Sequence, residues 1–396
     1  MMIDIFKSIG LFFVTILANP LWYVGLIVIY FLSSQRVKQE REAFHTRVYS
    51  RLSDWTIPII PAVIAGLSLS LITAGLGIVL SKEFIALLVA MSVLTVLTFH
   101  VRWMTPAYVL GFMLLLYGSE PFFKNSKIMD TLIYQPLSTV PMFVVAGLLA
   151  LFVVVEGFLI LKNGSRYTSP KLERSKRGKW IGSHETKRLW IVPVLFFIPE
   201  GLIPSSSFWP IFSLGDGGWQ PILLPFFIGF NQQVRAVLPA GPIRLIGLRV
   251  LCLGIFFVIL AAASFYVPFL AIVLGGLAIV SRELLSFAAK TKDGQHQAYF
   301  MSQRKGCIVL GVLPGSPAEK MKLAIGETIV KVNGQAVNGE ESLYKALQLN
   351  SAFCKLDVIN TDGEIRFVQG ALYDGEHHQL GVLLVKDDIE LQDSII

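Results

Sequence analysis

Apolar positions along this chain fall into two regimes. From residue 9 to residue 280 they form long stretches, at 9–32, 57–80, 84–99, 107–117, 140–161, 189–203, 222–230, 246–265 and 267–280. Beyond residue 305 they form short runs broken by polar residues. About 20 apolar residues can cross the hydrocarbon core of a bilayer as a helix, and shorter stretches can pair, tilt or re-enter. The first regime predicts a polytopic α-helical membrane domain over residues 1–285 with about eight spans, 189–203 and 222–230 among them. Asn19-Pro20 interrupts the first stretch, because proline lacks the amide a helix needs, so residues 3–18 are read as an interfacial helix. No small-residue cleavage site follows the first apolar stretch, which is therefore expected to stay in the protein.

Composition agrees: 54% of the 396 residues are hydrophobic and 15% are charged, which excludes an ordinary water-soluble enzyme. The formal charge of +7 divides unequally. Residues 1–285 carry 23 basic and 13 acidic groups, net +10, whereas 286–396 carry 11 and 14, net −3. The basic residues cluster in two connections, Arg36, Lys38, Arg41, Arg47 and Arg51 in one, and nine between Lys162 and Arg188 in the other. Such loops are retained in the cytoplasm, which places the exit at Arg282 and everything after it on the cytoplasmic side. The second cluster could also hold anionic lipid headgroups or an acidic protein. It lacks the regularly spaced aromatic residues of a nucleic-acid surface, so nucleic acid is not expected as a partner.

Ionisable residues inside apolar stretches are candidates for transport or catalysis. Glu156 lies late in its stretch near Lys162, Asp216 belongs to the turn Gly215-Asp-Gly-Gly218, and Arg249 can snorkel to the headgroups with Arg244. Glu200, in Ile198-Pro-Glu-Gly-Leu202, is left as either a substrate-binding break or a helix end at the outer interface. Membrane-protease signatures are missing: His184-Glu185 is followed by Arg188 where a zinc-binding HExxH pattern needs histidine, and no Ser-His-Asp set is apparent, His377 and His378 falling in a polar turn. Cys252, Cys307 and Cys354 have no metal-binding or disulfide spacing. No catalytic residue, metal or cofactor is expected.

The second regime begins after a polar linker, 286–303, and fills residues 304–390. Gly306 to Leu313 reads as a buried strand. Pro314-Gly-Ser-Pro-Ala318 is a turn in which Ser316 caps a short helix with Pro317 at its first position. Ile329, Val330 and Val332 belong to a second strand ending in the hairpin signal Asn333-Gly334. An amphipathic helix at 340–349 carries Leu343, Ala346 and Leu347 on one face, and strands follow at 356–359, 365–368 and 380–385.

The run Val312-Leu-Pro-Gly-Ser-Pro-Ala-Glu319, followed by Ile325-Gly-Glu-Thr-Ile-Val-Lys-Val-Asn-Gly334, resembles the PDZ domains of bacterial proteases. It departs from them at Lys322, usually Gly, and at Glu327, usually Asp. The resemblance implies a small α+β fold with a peptide groove between a carboxylate-binding loop and the long helix. That loop is best matched by Gln379-Leu-Gly-Val-Leu-Leu384, at the end of the domain, which implies a circularly permuted order. The residues implied for peptide binding are Leu380, Gly381, Val382, Leu383, Leu343 and Leu347. The same residues would also serve simply to close the sheet.

A multi-pass region followed by one such domain, together with Arg36-Val-Lys-Gln-Glu-Arg-Glu-Ala-Phe-His-Thr-Arg-Val48, resembles the MinJ family of cell-division determinants. The resemblance implies a non-enzymatic scaffold at septum and poles with DivIVA-like and MinD-like partners, and with other division proteins and membrane lipid as further contacts. Two other classes share parts of the pattern: a PDZ-bearing membrane regulator of proteolysis, and a transporter with a cytoplasmic sensor.

Overall fold

The computed structural model describes residues 2–123, 126–175, 178–203, 209–212, 218–302, 305–350, 353–371 and 380–386. Helices α1 (Met2–Ala18) and α2 (Pro20–Phe44) meet at a 45° bend where the sequence places Asn19-Pro20. Asn19 accepts a hydrogen bond from the amide of Leu21, which caps α2 as Pro20 takes its first position. Helices α3 (Ser53–Leu76), α4 (Lys82–Leu97) and α5 (Pro106–Phe123) follow. Short helices α6 (Lys127–Met129) and α7 (Gln135–Ser138) lead to α8 (Met142–Leu159). After two long strands come α9 (Ala240–Ser264) and α10 (Phe269–Gln295). Among the described residues, four helices are long and apolar enough to cross a bilayer, α3, α8 with the π-helical turn that extends it to Gly164, α9 and α10; counting the bent α1–α2 pair makes five.

Two stretches expected as helical spans are strands. β1 (Ser169–Arg174), β2 (Trp180–Ile203) and β3 (Trp219–Val234) form an antiparallel sheet in that order, and 189–203 and 222–230 lie within the β2–β3 hairpin. Proline explains the outcome. Pro193 and Pro199 in β2 and Pro221 and Pro225 in β3 would each remove a helical hydrogen bond, but a strand tolerates them wherever the amide points away from its partner. Pro193 stands opposite Pro225, and Leu195 opposite Leu223. Leu195 directs its amide and carbonyl away from β3, toward the Ser70 hydroxyl (2.9 Å) and the Thr73 hydroxyl (2.6 Å) of α3. Two residues back along the strand, the nitrogen of Pro193 therefore points outward too, where no donor is needed. Beyond Leu195 the Phe197 amide meets the Ile78 carbonyl at 3.2 Å, and the Leu80 amide donates to the Phe197 carbonyl at 2.8 Å. On the other edge the Gly229 amide donates to the Met104 carbonyl at 2.8 Å.

An open two-stranded edge is tolerated in a membrane region only when protein covers it. Here α3 covers it. A Cβ on Gly66 would come within 2.3 Å of the Pro193 carbonyl, so glycine lets the helix lie against the strand. The even-numbered residues Trp190, Val192, Val194 and Phe196 are fully buried in the main core, which they share with α5, α8, α9 and α10. Glu156 of α8, expected near Lys162, is instead buried against Arg282 of α10 as an ion pair. Arg244 and Arg249 are exposed on α9. Asp216 lies outside the described residues.

The region read as a linker is largely built into the fold. α10 continues to Gln295, meeting α5 and the turn before it through Arg102–Glu283 (2.9 Å) and Tyr108–Glu283 (2.8 Å). β4 (Phe300–Met301) then pairs with β2 at Ile181 and Gly182, extending the sheet past the end of β3.

The remaining elements form a second sheet, β10-β5-β6-β8-β9, from β5 (Cys307–Val312), β6 (Thr328–Val332), β8 (Phe353–Ile359), β9 (Ile365–Ala371) and β10 (Val382–Leu384). A short β7 (Gln335–Ala336) pairs with β6 across the Asn333-Gly334 turn. Helices α11 (Pro317–Lys320) and α12 (Glu340–Gln348) complete the module, with Ser316 capping α11 as its sequence requires. β10, the last strand among the described residues, pairs with β5, the first of the module, so the segment expected to carry the carboxylate-binding loop stands at the end of the module, as in the permuted order expected.

Candidate functional site

The candidate site lies between β10 and α12. Gly381, which immediately precedes β10, has a φ of +81°, and a Cβ there would lie 2.2 Å from that of Ser316, so only glycine fits. The carbonyls of Leu380 and Gly381 are fixed by the amides of Ala318 (3.0 Å) and Leu313 (2.8 Å), which holds the loop in one conformation. Beside it is a cavity of about 160 Å³ lined by Leu313, Tyr344, Gly381, Val382, Leu383 and Leu384 among others.

Three of the residues expected at the groove line it, Gly381, Val382 and Leu383. Leu343 and Leu347 do not; they are 1% and 2% exposed and belong to the core of the module with Leu380, Val309 and Val358. The reason is helical phase. Leu343 and Leu347, one turn apart, share one stripe of α12, and Glu340 and Tyr344, also one turn apart, present the neighbouring stripe to the cavity. Burial, and then Glu340, push the Tyr344 hydroxyl pKa up. Gln379 of the expected loop lies outside the described residues, as do His377 and His378.

Sequence reasoning missed the remaining wall. Ala43, Phe44, His45 and Thr46, at the C-terminal end of α2, close the cavity on the side of the membrane region, and Lys386 completes the rim. His45 ends α2 in a left-handed conformation (φ +58°), its amide donating to the Arg41 carbonyl at 2.9 Å. A clue was present in Phe44, the one phenylalanine within the basic connection from Arg36 to Arg51.

The module is seated on the membrane region. Ile308, Leu310 and Val385 pack with Phe300, Phe44, Leu172, Trp180, Leu238 and Tyr299. The Lys386 ammonium lies 5.9 Å from the Trp180 ring centre. At the centre of the seat His184 of β2, 1% exposed, lies 2.9 Å by Nε2 from the Leu310 carbonyl and 2.8 Å by Nδ1 from the Thr168 hydroxyl. Burial pulls the His184 pKa down to about 4, so the ring is neutral and donates to Leu310 while accepting from Thr168.

Glu200 is far from this groove. It is exposed at the tip end of β2, with φ +68°, and pairs with Lys82 at the start of α4 at 2.5 Å. It therefore does not stand in a broken helical span facing a substrate path.

The PDZ domain family matches residues 308–355. Over nearly its full length the chain is similar to the cell division topological determinant MinJ of Bacillus subtilis (strain 168), with 36% identity over 395 residues, 98% of this chain and 96% of the relative. It is also 33% identical over 84 residues to the probable cell division topological determinant MinJ of Lacticaseibacillus paracasei, 21% of this chain and 23% of that protein. The Lacticaseibacillus casei (strain BD-II) protein of the same description matches equally.

Proposed function

The chain belongs to the MinJ family of cell division topological determinants, and from that premise we propose that it is a non-enzymatic scaffold of division-site selection. In this reading it links a DivIVA-like protein to a MinD-like protein, so that the inhibitor of FtsZ assembly is held at poles and septa. Residues 1–285 anchor it, with the C-terminal module on the cytoplasmic side beside the basic connections. Peptide recognition by that module runs through Gly381, Val382 and Leu383, with Tyr344 across the groove.

The observation that carries the reading is similarity over 98% of the chain, membrane region included, which a shared PDZ module alone would not give. The transporter alternative loses its support with Glu200, whose carboxylate is exposed and ion-paired.

The test is imaging of a fluorescent MinD-like protein in cells carrying chain variants. Deletion of residues 300–396 should disperse it from septa and poles, and Gly381→Val, which forces a side chain into Ser316, should do the same with the membrane region intact. Glu200→Gln should leave the pattern unchanged. A MinD-like protein still focused at septa in the deletion strain, or dispersed by Glu200→Gln, would overturn the proposal.

A further inference from the structure

The groove borders an edge strand. β10 is the outermost strand of its sheet and pairs on one side with β5; among the described residues no strand pairs with its other side, while Gly381 to Leu384 line the cavity. An edge of this kind takes an added strand, whose main-chain groups pair with it and whose alternate side chains fill the adjoining pocket. The volume of about 160 Å³ suits a large aliphatic side chain, for which Leu313, Phe44, Val382 and Leu384 supply apolar contacts, while His45, Thr46, Glu340 and Lys386 make the rest of the lining polar.

The chain leaves β10 through Lys386, which itself lines the cavity. It continues as Asp387-Asp-Ile-Glu-Leu-Gln-Asp-Ser-Ile-Ile396, a segment outside the described residues. In it Ile389, Leu391 and Ile395 fall at alternate positions separated by Glu390, Gln392 and Ser394, the pattern being broken at Asp393 and at Ile396. That is the sequence period of a half-buried strand. Its ten residues are enough to turn in about 2–5 residues and return beside the three residues of β10. Its four acidic groups, unaccompanied by any basic one, follow directly on Lys386 at the rim, across the cavity from its one acidic lining residue, Glu340.

We propose, on the reading of this groove as a peptide site, that its resident occupant is the segment 387–396 of the same chain, added in cis along β10. A partner peptide then binds by displacing it. Strand addition of this kind needs no free carboxylate, because it uses main-chain groups and alternate side chains.

The experiment measures fluorescence anisotropy of a labelled peptide with the sequence of residues 387–396 against the purified chain in detergent micelles. A chain ending at Lys386 should bind the peptide at least tenfold more tightly than the full chain. A full chain carrying Ile389→Asp and Leu391→Asp should bind the unsubstituted peptide as the shortened chain does, which guards against a truncation artefact. A peptide with the same two substitutions should bind neither. Equal affinity of the full and shortened chains, or no binding to either, would overturn the proposal. Masking that disappears on dilution of the full chain would assign the segment to a neighbouring copy and overturn the cis assignment. Recruitment of a MinD-like protein in cells is read separately, so loss of this inference leaves the scaffold reading standing.

Discussion

Lys322 holds a backbone φ of +58° at the end of α11, a left-handed conformation that costs a residue with a Cβ roughly 1–2 kcal/mol. The departure from the usual glycine that the sequence displayed is therefore a local strain and leaves the fold intact. Its carbonyl still accepts from Arg366 at 2.9 Å, and its amide donates to the Glu319 carbonyl at 2.8 Å. Lys322→Gly should keep both contacts, relieve the conformation and stabilise the protein by about 0.5–1 kcal/mol, since glycine's extra unfolded-state freedom offsets part of the gain. Thermal unfolding of the full chain measures it, and an unchanged or lowered midpoint would refute it. Glu327, the other departure, is buried and accepts from Ala324 and Arg366 at 2.9 and 2.7 Å, so the longer carboxylate reaches both partners.

At the scale of elements, the β2–β3 hairpin depends on α3 to complete it. The pair Ser70 and Thr73 satisfies both main-chain groups of Leu195, while proline removes the need at positions 193, 199, 221 and 225. Ser70→Ala should leave the Leu195 amide without its acceptor and destabilise the protein by about 1–3 kcal/mol. Thr73→Val, equal in shape, should act similarly through the Leu195 carbonyl. Hydrogen exchange reads this directly: the Leu195 amide should exchange faster in Ser70→Ala than in the parent, and unchanged protection would exclude the capping role. The hairpin was partly legible in advance. Apolar length alone cannot separate a buried strand from a span, but the four prolines of β2 and β3, at separations of six and four residues, fit outward-facing strand positions and not a helix.

At the scale of the whole molecule, His184 joins the two regions. Its unfolded pKa is near 6.5 and its folded pKa about 4, so between these values the unfolded chain takes up a proton that the folded one refuses. The stability that depends on this seat is therefore complete above about pH 6.5 and falls as pH drops toward 4. Between pH 6.5 and 5 the loss should amount to about 2 kcal/mol. Thermal unfolding at several pH values, compared with His184→Gln, isolates the contribution: the variant should show a flatter dependence across this window. An identical dependence in both would exclude His184 as the titrating group.

Local patterning was enough to bend the first helix at Asn19-Pro20, and to place β5, α11, the Asn333-Gly334 turn and α12 in a PDZ-like order. Each of these rests on neighbours in sequence: hydropathy over about 20 residues, a cap, a proline, a turn pair. Contacts between distant segments needed the folded chain. The Glu156–Arg282 pair, the covering of β2 by α3, and the groove wall formed by Ala43 to Thr46 each join residues more than one hundred positions apart. No local pattern encodes which of several apolar or charged partners such a residue will meet. The phase of α12 illustrates the boundary, since its amphipathic stripe marked Leu343 and Leu347 correctly as apolar, but only packing against β6 and β8 turned that stripe into the core and left Tyr344 to the groove.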